Sequence, residues 1–249
     1  MKMKLHHYEI LDSTNETAEQ MAKAGAPEGT VIMADRQRGG HGRMQRRWES
    51  PSGGLWFTLV LRPTADSYLV AQITLLAGIA VTKALRRIYS SDDIRIKWPN
   101  DIFFNGKKVG GILSEMRLHE REGIEYVLVG IGVNVNLGKE NFPGELQSTA
   151  TSLQLIFGKK IPVESVLQEI FNEFVVIYDR WNNEGMNAFL SEWEALNCTL
   201  GRMVKVWDSD RVIFEGKAVS MKEDGSLLVQ MENGTEESFN FGEISIREC

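Results

Sequence analysis

The chain is poor in the residues that build disulfide frameworks and metal sites. Its 249 residues include two cysteines, Cys198 and Cys249, and four histidines. Two cysteines so far apart form neither a disulfide framework nor a Cys-x-x-Cys metal site, and the histidines follow no metal-ligand spacing. A fold that depends on disulfides or on a zinc site is therefore excluded, and a reducing compartment is expected.

An excess of basic residues is also missing. The chain has 28 lysines and arginines against 34 aspartates and glutamates, which gives a net charge of −6. Because general nucleic-acid binders are usually basic, DNA is not an expected partner. The hydrophobic content of 43% and the charged content of 25% are ordinary for a globular protein. The length allows one large domain, or one medium domain with a small one.

Long apolar segments are absent as well. The longest run without a charged residue is Ser67–Thr82. It is shorter than the roughly 18–20 residues that a membrane helix needs, and Gln72 interrupts it. The N-terminal residues contain no apolar signal core. We expect a buried helix at this run, no contact with a membrane, and a cytoplasmic protein.

Two common catalytic motifs are missing from the sequence. There is no Gly-x-x-x-x-Gly-Lys-Ser/Thr loop and no Gly-x-Gly-x-x-Gly fingerprint. No spacing of serine, histidine and aspartate suggests a nucleophile with its base. The chemistry is therefore expected to rest on electrostatic handling of anions rather than on covalent catalysis by the protein.

Helix and hairpin signals predict an α+β fold for most of the chain. Ser13 and Glu16 have the spacing of a capping box at the start of a helix. The pair Asn105-Gly106 lies between apolar runs and predicts a hairpin, because a type I′ turn needs positive φ angles. Successive hairpins predict a mixed, largely antiparallel sheet. Further helices are expected at 69–89, 152–157, 163–181 and 186–196.

The pattern changes after Asn197. Five short strand signals follow, separated by polar turns such as Glu223-Asp224-Gly225 and Asn233-Gly234. About fifty residues of this kind are typical of a small β-barrel. The sequence therefore predicts a larger domain at residues 1–197 and a small barrel at residues 198–249.

The segment Asp35–Trp48 is the most informative part of the sequence. It contains five arginines and three glycines in fourteen residues. Arginines bind planar anions through a rigid set of donors, and glycines let the backbone come close to a ligand. The segment is either a loop that closes over an anionic small molecule or a basic, flexible surface loop. Its composition alone does not decide between the two.

Three further segments combine strand signals with polar residues or glycines. Lys97–Asp101 is either a turn that ends a strand or a place where Asp101 holds magnesium or another cation. Lys108 is either a solvated edge charge or a cation that reaches a ligand admitted by the adjacent glycine pair. Gly130–Asn134 is either a bulge or an apolar wall that ends in an amide. Together they predict an apolar, glycine-walled slot for a ligand with an anionic reacting end.

Six motifs in a fixed order make nearly the whole chain resemble the biotin–protein ligases, also called biotin–[acetyl-CoA-carboxylase] ligases. The motifs are Asp12–Asn15, Gln37–Trp48, Lys97–Asp101, Lys108–Leu113, Gly132–Asn134 and Gly242–Arg247. Each motif alone is weak, and their order makes the resemblance specific. It implies a catalytic domain like those of class II synthetases, an SH3-like C-terminal barrel, and biotin, ATP and Mg²⁺ as substrates and metal.

The resemblance implies a two-step ligase reaction. Biotin first reacts with ATP to give biotinyl-5′-AMP and pyrophosphate, and a lysine of a biotin carboxyl carrier protein then takes the biotin and releases AMP. Lys108 and Arg43 match the catalytic positions, and Asp101 matches the metal-side carboxylate. The positions implied to contact biotin are Ser13, Thr14, Asn15, Gln37, Gly40, His41, Lys108, Gly111 and Gly130. Those implied to contact ATP or the adenylate are Gly42, Arg43, Arg46, Trp48, Asn134 and Arg247.

Two positions of the loop depart from the family pattern. His41 stands where arginine is frequent, and Gln45 stands where glycine is usual. Only eleven residues precede Asp12, which is too short for the helix-turn-helix domain of bifunctional members, so repressor activity is not expected. A lipoate–protein ligase and a non-catalytic biotin sensor are the alternatives. Strand edges could dock the acceptor or pair two copies into a homodimer.

Overall fold

The computed structural model describes residues 1–64, 70–119, 123–208, 211–240 and 244–248. The strands are β1 Lys4–Leu11, β2 Thr30–Gln37, β3 Leu55–Leu61, β4 Ile94–Lys97, β5 Asp101–Phe104, β6 Lys107–His119, β7 Gly123–Val133, β8 Met203–Asp208, β9 Arg211–Met221, β10 Leu227–Gln230, β11 Glu236–Phe239 and β12 Ile244–Glu248. The helices are α1 Thr14–Lys23, α2 Val70–Tyr89, α3 Leu153–Phe157, α4 Val163–Glu184 and α5 Leu190–Leu196.

Seven strands form one mixed sheet in the order β1-β2-β3-β7-β6-β5-β4. The pair β1–β2 is parallel, and the other five pairs are antiparallel. This confirms the predicted mixed, largely antiparallel sheet. Strand β1 was not predicted from the sequence. It lies at the sheet edge with most of its side chains exposed, so its residues do not alternate between apolar and polar.

Helices cover both faces of this sheet. On β2, Val31 and Met33 belong to the main core with α2 and α4, whereas Ile32 packs on the other face against Ala18 and Ala22 of α1. The alternation follows from the period of two in a strand. The main core is continuous from α2 to the C-terminal strands. In the described part of the chain no helix is long and apolar enough to cross a membrane.

The C-terminal strands form a separate five-stranded antiparallel sheet in the order β11-β10-β9-β8-β12. This agrees with the predicted small SH3-like barrel. Its core side chains, among them Val204 and Val229, join the main core of the larger sheet. The barrel is therefore packed firmly against the rest of the molecule.

Local signals in the sequence are confirmed at several points. The Ser13 hydroxyl accepts a hydrogen bond from the backbone N–H of Glu16 and caps α1. Asn105 and Gly106 both have positive φ, at 45° and 80°, as the predicted hairpin turn requires. The helix expected at 69–89 begins at Val70 in the described residues, and residue 69 lies outside them. The helix expected at 186–196 is divided into a 3-10 turn and α5.

Candidate functional site

A cavity of about 390 Å³ opens between the sheet and the segment that follows β2. All but two of the site residues expected from the sequence line it. They are Ser13, Thr14, Asn15, Gln37, His41, Gly42, Arg43, Arg46, Trp48, Asp101, Lys108, Gly111, Gly130 and Asn134. Residues more than a hundred positions apart in the chain therefore meet in one place.

Gly40 and Arg247 are the two exceptions. Gly40 is buried behind the loop and does not line the cavity: a Cβ on it would lie 2.7 Å from the Ser50 hydroxyl and 2.8 Å from the Trp48 carbonyl. Its lack of a side chain therefore serves the packing of the loop. The backbone of Arg247 pairs with Lys205 in the barrel. Its side chain lies outside the described part of the structure, and so does its expected contact with ATP.

One end of the cavity is uncharged and rich in hydrogen-bonding groups. The Gln37 carbonyl oxygen accepts hydrogen bonds from the Thr14 backbone N–H at 2.8 Å and from the Thr14 hydroxyl at 3.0 Å. The Gln37 amide group donates to the Ser50 hydroxyl at 2.8 Å. Because both ends of the amide are used, its orientation is fixed. Such a fixed set of donors and acceptors suits a compact polar ring.

Two residues that sequence reasoning missed hold Asn15 at this end. The Asn15 oxygen accepts a hydrogen bond from the buried Thr58 hydroxyl at 2.5 Å, and its amide group donates to Glu115 at 2.6 Å. A Cβ on Gly130 would collide with the Asn15 oxygen, so the strand needs glycine there. The threonine in the apolar run of β3 was the available signal, because a buried hydroxyl needs a partner.

Glycines of β6 and β7 form a flat wall under Trp48. A Cβ on Gly132 would lie 2.7 Å from the Trp48 indole nitrogen, and one on Gly111 would lie 3.4 Å from the indole ring. Substitution of Gly132 would therefore displace the indole. The predicted glycine-walled slot is present, with the aromatic side chain of the loop as its opposite wall.

The other end of the cavity carries charge. The Lys108 ammonium group lies 2.5 Å from the Asp101 carboxylate and 5.0 Å from the centre of the Trp48 ring. The backbone of Lys108 is held by hydrogen bonds with Thr149 and Thr151. The side chain is therefore placed by a fixed backbone and faces both a carboxylate and an aromatic ring.

Arg43 reaches into the same end from the loop. Its guanidinium donates a hydrogen bond to the Asn100 side chain at 3.3 Å. Burial lowers the pKa of Arg43, Asp101 partly offsets this, and Arg46 lowers it further. Burial of a cation beside a second cation is costly unless an anion is near. This end of the cavity therefore favours the binding of anions.

The backbone of the loop is tied together across its own width. Gly42 donates to the Arg46 carbonyl, and Trp48 donates to the Gly40 carbonyl. The turn between them places Met44 and Gln45 at φ of 56° and 55°, where residues other than glycine are uncommon. This explains why Gln45 stands out: its backbone has the left-handed conformation that glycine adopts most easily.

Cations outnumber carboxylates among the described residues of the cavity wall. The cations are Arg43, Arg46, Arg47, Lys97 and Lys108, and the carboxylates are Glu49 and Asp101. The chain as a whole has a net charge of −6. A cluster of positive charge in an acidic protein indicates a site for an anionic ligand.

An apolar patch beside Trp48 was also missed from the sequence. Phe142 packs with Trp56 and Leu137, and Leu146 and Ala150 extend the patch toward Trp48. Apart from Trp56 of β3, these residues come from the connection between β7 and α3, where turns and 3-10 segments hide the pattern. The patch offers a surface for a flat aromatic group.

The residues present can hold a magnesium ion only together with oxygen atoms of a bound ligand. In the described parts of the chain no group of three histidine, cysteine or acidic side chains could hold a metal. Asp101 is the lining carboxylate that contacts Lys108 at the charged end of the cavity. Mg²⁺ is commonly bound by one or two carboxylates together with substrate phosphates. The site is therefore suited to a magnesium ion that arrives with a phosphate ligand.

Comparisons with known proteins agree with this geometry. Residues 8–134 match the sequence profile of the biotin/lipoate A/B protein ligase family, and residues 199–247 match the biotin protein ligase C terminal domain. The bifunctional ligase/repressor BirA of Bacillus subtilis (strain 168) is 37% identical over 96% of this chain and 73% of its own length.

Two further comparisons point the same way. The biotin--[acetyl-CoA-carboxylase] ligase of Paracoccus denitrificans is 32% identical over 78% of this chain and 80% of its own length. A solved structure of biotin protein ligase from Aquifex aeolicus, in complex with biotin and ATP, superposes with a TM-score of 0.86. It is 32% identical, and the alignment covers 99% of both chains.

Proposed function

This chain belongs to the biotin protein ligase family, and we propose that its glycine-walled cavity is where biotin and ATP react. The protein is an ATP-dependent biotin–[acetyl-CoA-carboxylase] ligase. The site assignment rests on one observation: a single slot connects an uncharged end with a charged end. Thr14 and Gln37 form the uncharged end, and Lys108, Asp101 and Arg43 form the charged end.

The two ends of the cavity fix the orientation in which biotin and ATP bind. The ureido ring of biotin is hydrogen-bonded by Thr14, Asn15 and Gln37, and its apolar chain lies along the glycine wall. The carboxylate then reaches Lys108. The triphosphate lies among the arginines of the loop, and the adenine packs on the apolar patch near Phe142. An apolar slot with a few polar groups is the usual form of a small-molecule site.

The first step joins two anions, and Lys108 offsets their repulsion. A carboxylate oxygen of biotin attacks the α-phosphorus of ATP, the new oxygen–phosphorus bond forms, and the bond to the β-phosphate breaks with release of pyrophosphate. Negative charge grows on the phosphoryl oxygens and the leaving group. Lys108 leaves Asp101 to contact both the carboxylate and the α-phosphate, because two anions attract its charge more strongly than one carboxylate does.

The second step transfers biotin to the acceptor. The neutral amine of an acceptor lysine attacks the acyl carbon of biotinyl-5′-AMP, an amide bond forms, and the bond to AMP breaks. The amine loses its proton to solvent or to the leaving phosphate. Until then the mixed anhydride must be kept from water, and Arg43 and Trp48 hold the loop over it.

Asp101 is proposed to hold magnesium when ATP is present. The release of Lys108 toward the substrates leaves the Asp101 carboxylate available at the charged end. A magnesium ion bound there supplies positive charge to the phosphates. A single carboxylate is sufficient because the phosphates provide further oxygen ligands.

A biotin carboxyl carrier protein is the proposed acceptor, docked along a free edge of β6. Strand β5 pairs with β6 only as far as Gly111. Within the described residues no strand covers this edge between Ser114 and His119, where Met116 and Leu118 are 46% and 50% exposed. Addition of a strand to an open sheet edge is a common docking mode. A structure of the complex without contact at this edge would contradict the docking proposal.

Three further predictions concern domain division, association and location. The division at residues 1–197 and 198–249 is supported by the two separate sheets. A homodimer through a sheet edge and a cytoplasmic location stay predictions. Sedimentation of the purified protein at several concentrations would show whether two copies associate.

The function is tested by incubation with biotin, ATP, magnesium and a carrier domain. We expect the mass of the carrier to rise by one biotinyl group, with AMP and pyrophosphate as products. Lipoate in place of biotin should give no pyrophosphate, because the fixed amides at the polar end are built for a hydrogen-bonding ring. Tight biotin binding without transfer would instead favour the sensor.

A further inference from the structure

A turn of the C-terminal barrel reaches the charged end of the cavity indirectly. The turn spans residues 222–226, between β9 and β10, and is called the barrel turn below. Its Gly225 carbonyl accepts a hydrogen bond from the Trp98 indole N–H at 3.1 Å. Its Glu223 carbonyl accepts one from the Gln72 side chain at 2.8 Å. Two backbone carbonyls of the barrel thus bind side chains of the catalytic sheet and helices.

Gln72 is a buried polar residue whose two ends are both used. It is 4% exposed, and its oxygen accepts a hydrogen bond from the Trp181 indole N–H at 2.8 Å. An amide held at both ends in a buried place has one orientation. The carbonyl of Glu223 is therefore fixed against α2 and α4. On one side the barrel turn is held against α2 and α4, and on the other side it contacts Trp98.

The barrel turn keeps its shape through Asp224. The Asp224 carboxylate accepts hydrogen bonds from the Ser226 backbone N–H at 2.9 Å and from the Ser226 hydroxyl at 2.6 Å. Burial alone would raise the pKa of Asp224, but these hydrogen bonds and nearby Lys222 outweigh it and lower the pKa. Gly225 has a positive φ of 87°. The carboxylate therefore stabilises the bend that aims the Gly225 carbonyl at Trp98.

Trp98 itself lines the cavity, and from it the contacts continue to the charged end. The Trp98 backbone N–H donates to the Thr199 hydroxyl at 2.9 Å, so the C-terminal domain holds this residue at two points, Thr199 and Gly225. Two residues later, Asn100 binds Arg43 and exchanges hydrogen bonds with Ile112 of β6. Asp101 follows and contacts Lys108.

We propose that the barrel turn positions the segment 97–101, and through it Arg43 and Lys108, for the adenylation step. The proposal rests on the function proposed above. The Asp224 side chain does not line the cavity, so it acts as a positioning residue rather than by touching substrate. The polar end of the slot is held by Thr14 and Gln37, which take no part in this chain of contacts. Biotin binding and ATP use should therefore respond differently.

The test compares two turns of the same barrel. Asp224→Ala removes the acceptor that shapes the barrel turn. Asn233→Ala is the matched control, because the Asn233 oxygen accepts from the Thr235 N–H in the β10–β11 turn in the same way. Trp98→Phe removes the indole donor directly. Biotin-dependent exchange of pyrophosphate into ATP gives kcat and KM for ATP, and calorimetry without ATP gives the Kd for biotin.

We expect Asp224→Ala and Trp98→Phe to lower kcat/KM for ATP by about tenfold, because small errors in the placement of reacting groups are costly. The Kd for biotin should stay within about twofold of the unaltered protein. Asn233→Ala should change neither quantity. Asp224→Asn keeps an oxygen acceptor and should restore kcat/KM.

The proposal is overturned if Trp98→Phe leaves kcat/KM for ATP unchanged, or if it weakens biotin binding as much as it slows exchange. It is also overturned if a folded Asp224→Ala protein behaves like Asn233→Ala. Where Asp224→Ala does not fold, Trp98→Phe decides alone. Failure of the proposed function has a different signature: the unaltered protein itself would show no biotin-dependent exchange.

Discussion

Two clusters of charged side chains among the described residues are built differently. The helix cluster joins α2, α4 and α5 and contains two cations, Lys83 and Arg87, with three carboxylates, Glu169, Glu173 and Glu192. The cavity has the reverse balance, with five cations and two carboxylates among its described lining residues. In the helix cluster both cations are paired with carboxylates of the protein. In the cavity the cations are in excess and favour an anionic ligand.

The helix cluster is centred on Glu173. Lys83 lies 2.7 Å from it and 2.7 Å from Glu192, and Arg87 lies 2.7 Å from it on the other side. Burial alone would raise the pKa of Glu173, but the hydrogen bonds from Lys83 and Arg87 outweigh this and lower it. Such a cluster fixes how helices pack.

The cavity shows the opposite use of charge. Burial lowers the pKa of Arg43, which means that its charged form is less favourable there than in water. Lys108 has Asp101 beside it, and that pair is open to competition from stronger anions. The helix cluster therefore stabilises the fold, while the cavity holds electrostatic free energy that an anionic ligand can recover.

The largest expected effect comes from Lys108→Ala, which removes the central cation of the cavity. The adenylation rate should fall by about 10²–10³-fold, as for other losses of a group that stabilises transition-state charge. Biotin should still bind, because Thr14 and Gln37 are unchanged. The measurement is biotin-dependent pyrophosphate release. Lys107→Ala alters the neighbouring exposed lysine and is the control. Near-normal release by Lys108→Ala would contradict the assignment.

Glu173→Ala disrupts the helix cluster and should lower the stability of the protein rather than its activity. The loss of a nearly buried carboxylate with two charged partners is expected to lower the free energy of unfolding by about 2 kcal/mol. This corresponds to a fall in Tm of about 4–8 °C for a chain of this size. Glu169→Ala removes an exposed, longer contact at 3.4 Å and should cost less. Equal effects would show that the cluster is not centred on Glu173.

The stability difference between the unaltered protein and Glu173→Ala should depend on pH, because the pKa of Glu173 is lowered. Its stabilising contribution is fully present above the usual value of 4.5 and is lost as pH falls through the lower folded value. The gap in Tm between the unaltered protein and Glu173→Ala should therefore be wide at pH 7 and narrow under acid conditions. A gap that stays constant in acid would contradict the inferred pKa shift.

Arg43→Gly should have a smaller effect, confined to the cavity. The loss of its charge from the loop is expected to speed escape of biotinyl-5′-AMP by about tenfold, the value of one charge-assisted hydrogen bond. Free adenylate in the filtrate of a reaction without acceptor is the measurement. Arg38→Gly, an exposed arginine outside this cavity, is the control. Tight retention of the adenylate by Arg43→Gly would count against the closing loop.

The smallest effect is expected at Gln45, where only backbone geometry is involved. Gln45→Gly relieves about 1 kcal/mol of strain from the left-handed backbone conformation. Glycine also raises the conformational entropy of the open loop, which offsets a similar free energy. Adenylate release should therefore change less than about twofold. Gln45→Val places a β-branched residue at positive φ and should speed release several-fold. The ratio of the two release rates measures the strain. Equal rates would show that the loop opens without altering this turn.

The sequence predicts those parts of the structure that depend on neighbouring residues. The turn at Asn105-Gly106 and the cap at Ser13 follow from local backbone geometry and are confirmed. The glycine wall was also predictable, because glycine inside an apolar strand usually marks a bulge or the close approach of a ligand or backbone. The lining positions of the cavity came from six ordered motifs rather than from periodicity.

The parts that were missed depend on contacts far along the chain. Strand β1 is recognisable only through its parallel pairing with β2. Thr58 becomes important because Asn15, 43 positions away, needs a donor. The contact between Gly225 and Trp98 spans 127 positions and uses a backbone carbonyl, which any residue could supply. No side-chain pattern could have indicated it.

Trp48 gives the protein an internal optical signal. Its indole lies on the loop that covers the cavity, 5.0 Å from the Lys108 ammonium group, and its buried N–H has no hydrogen-bond partner among the described residues. Indole emission is sensitive to a nearby charge, so we expect the proposed movement of Lys108 toward a substrate to change the emission of Trp48, one of six tryptophans in the chain. The binding of biotin and ATP and the release of AMP should then be visible in the fluorescence of the unlabelled protein.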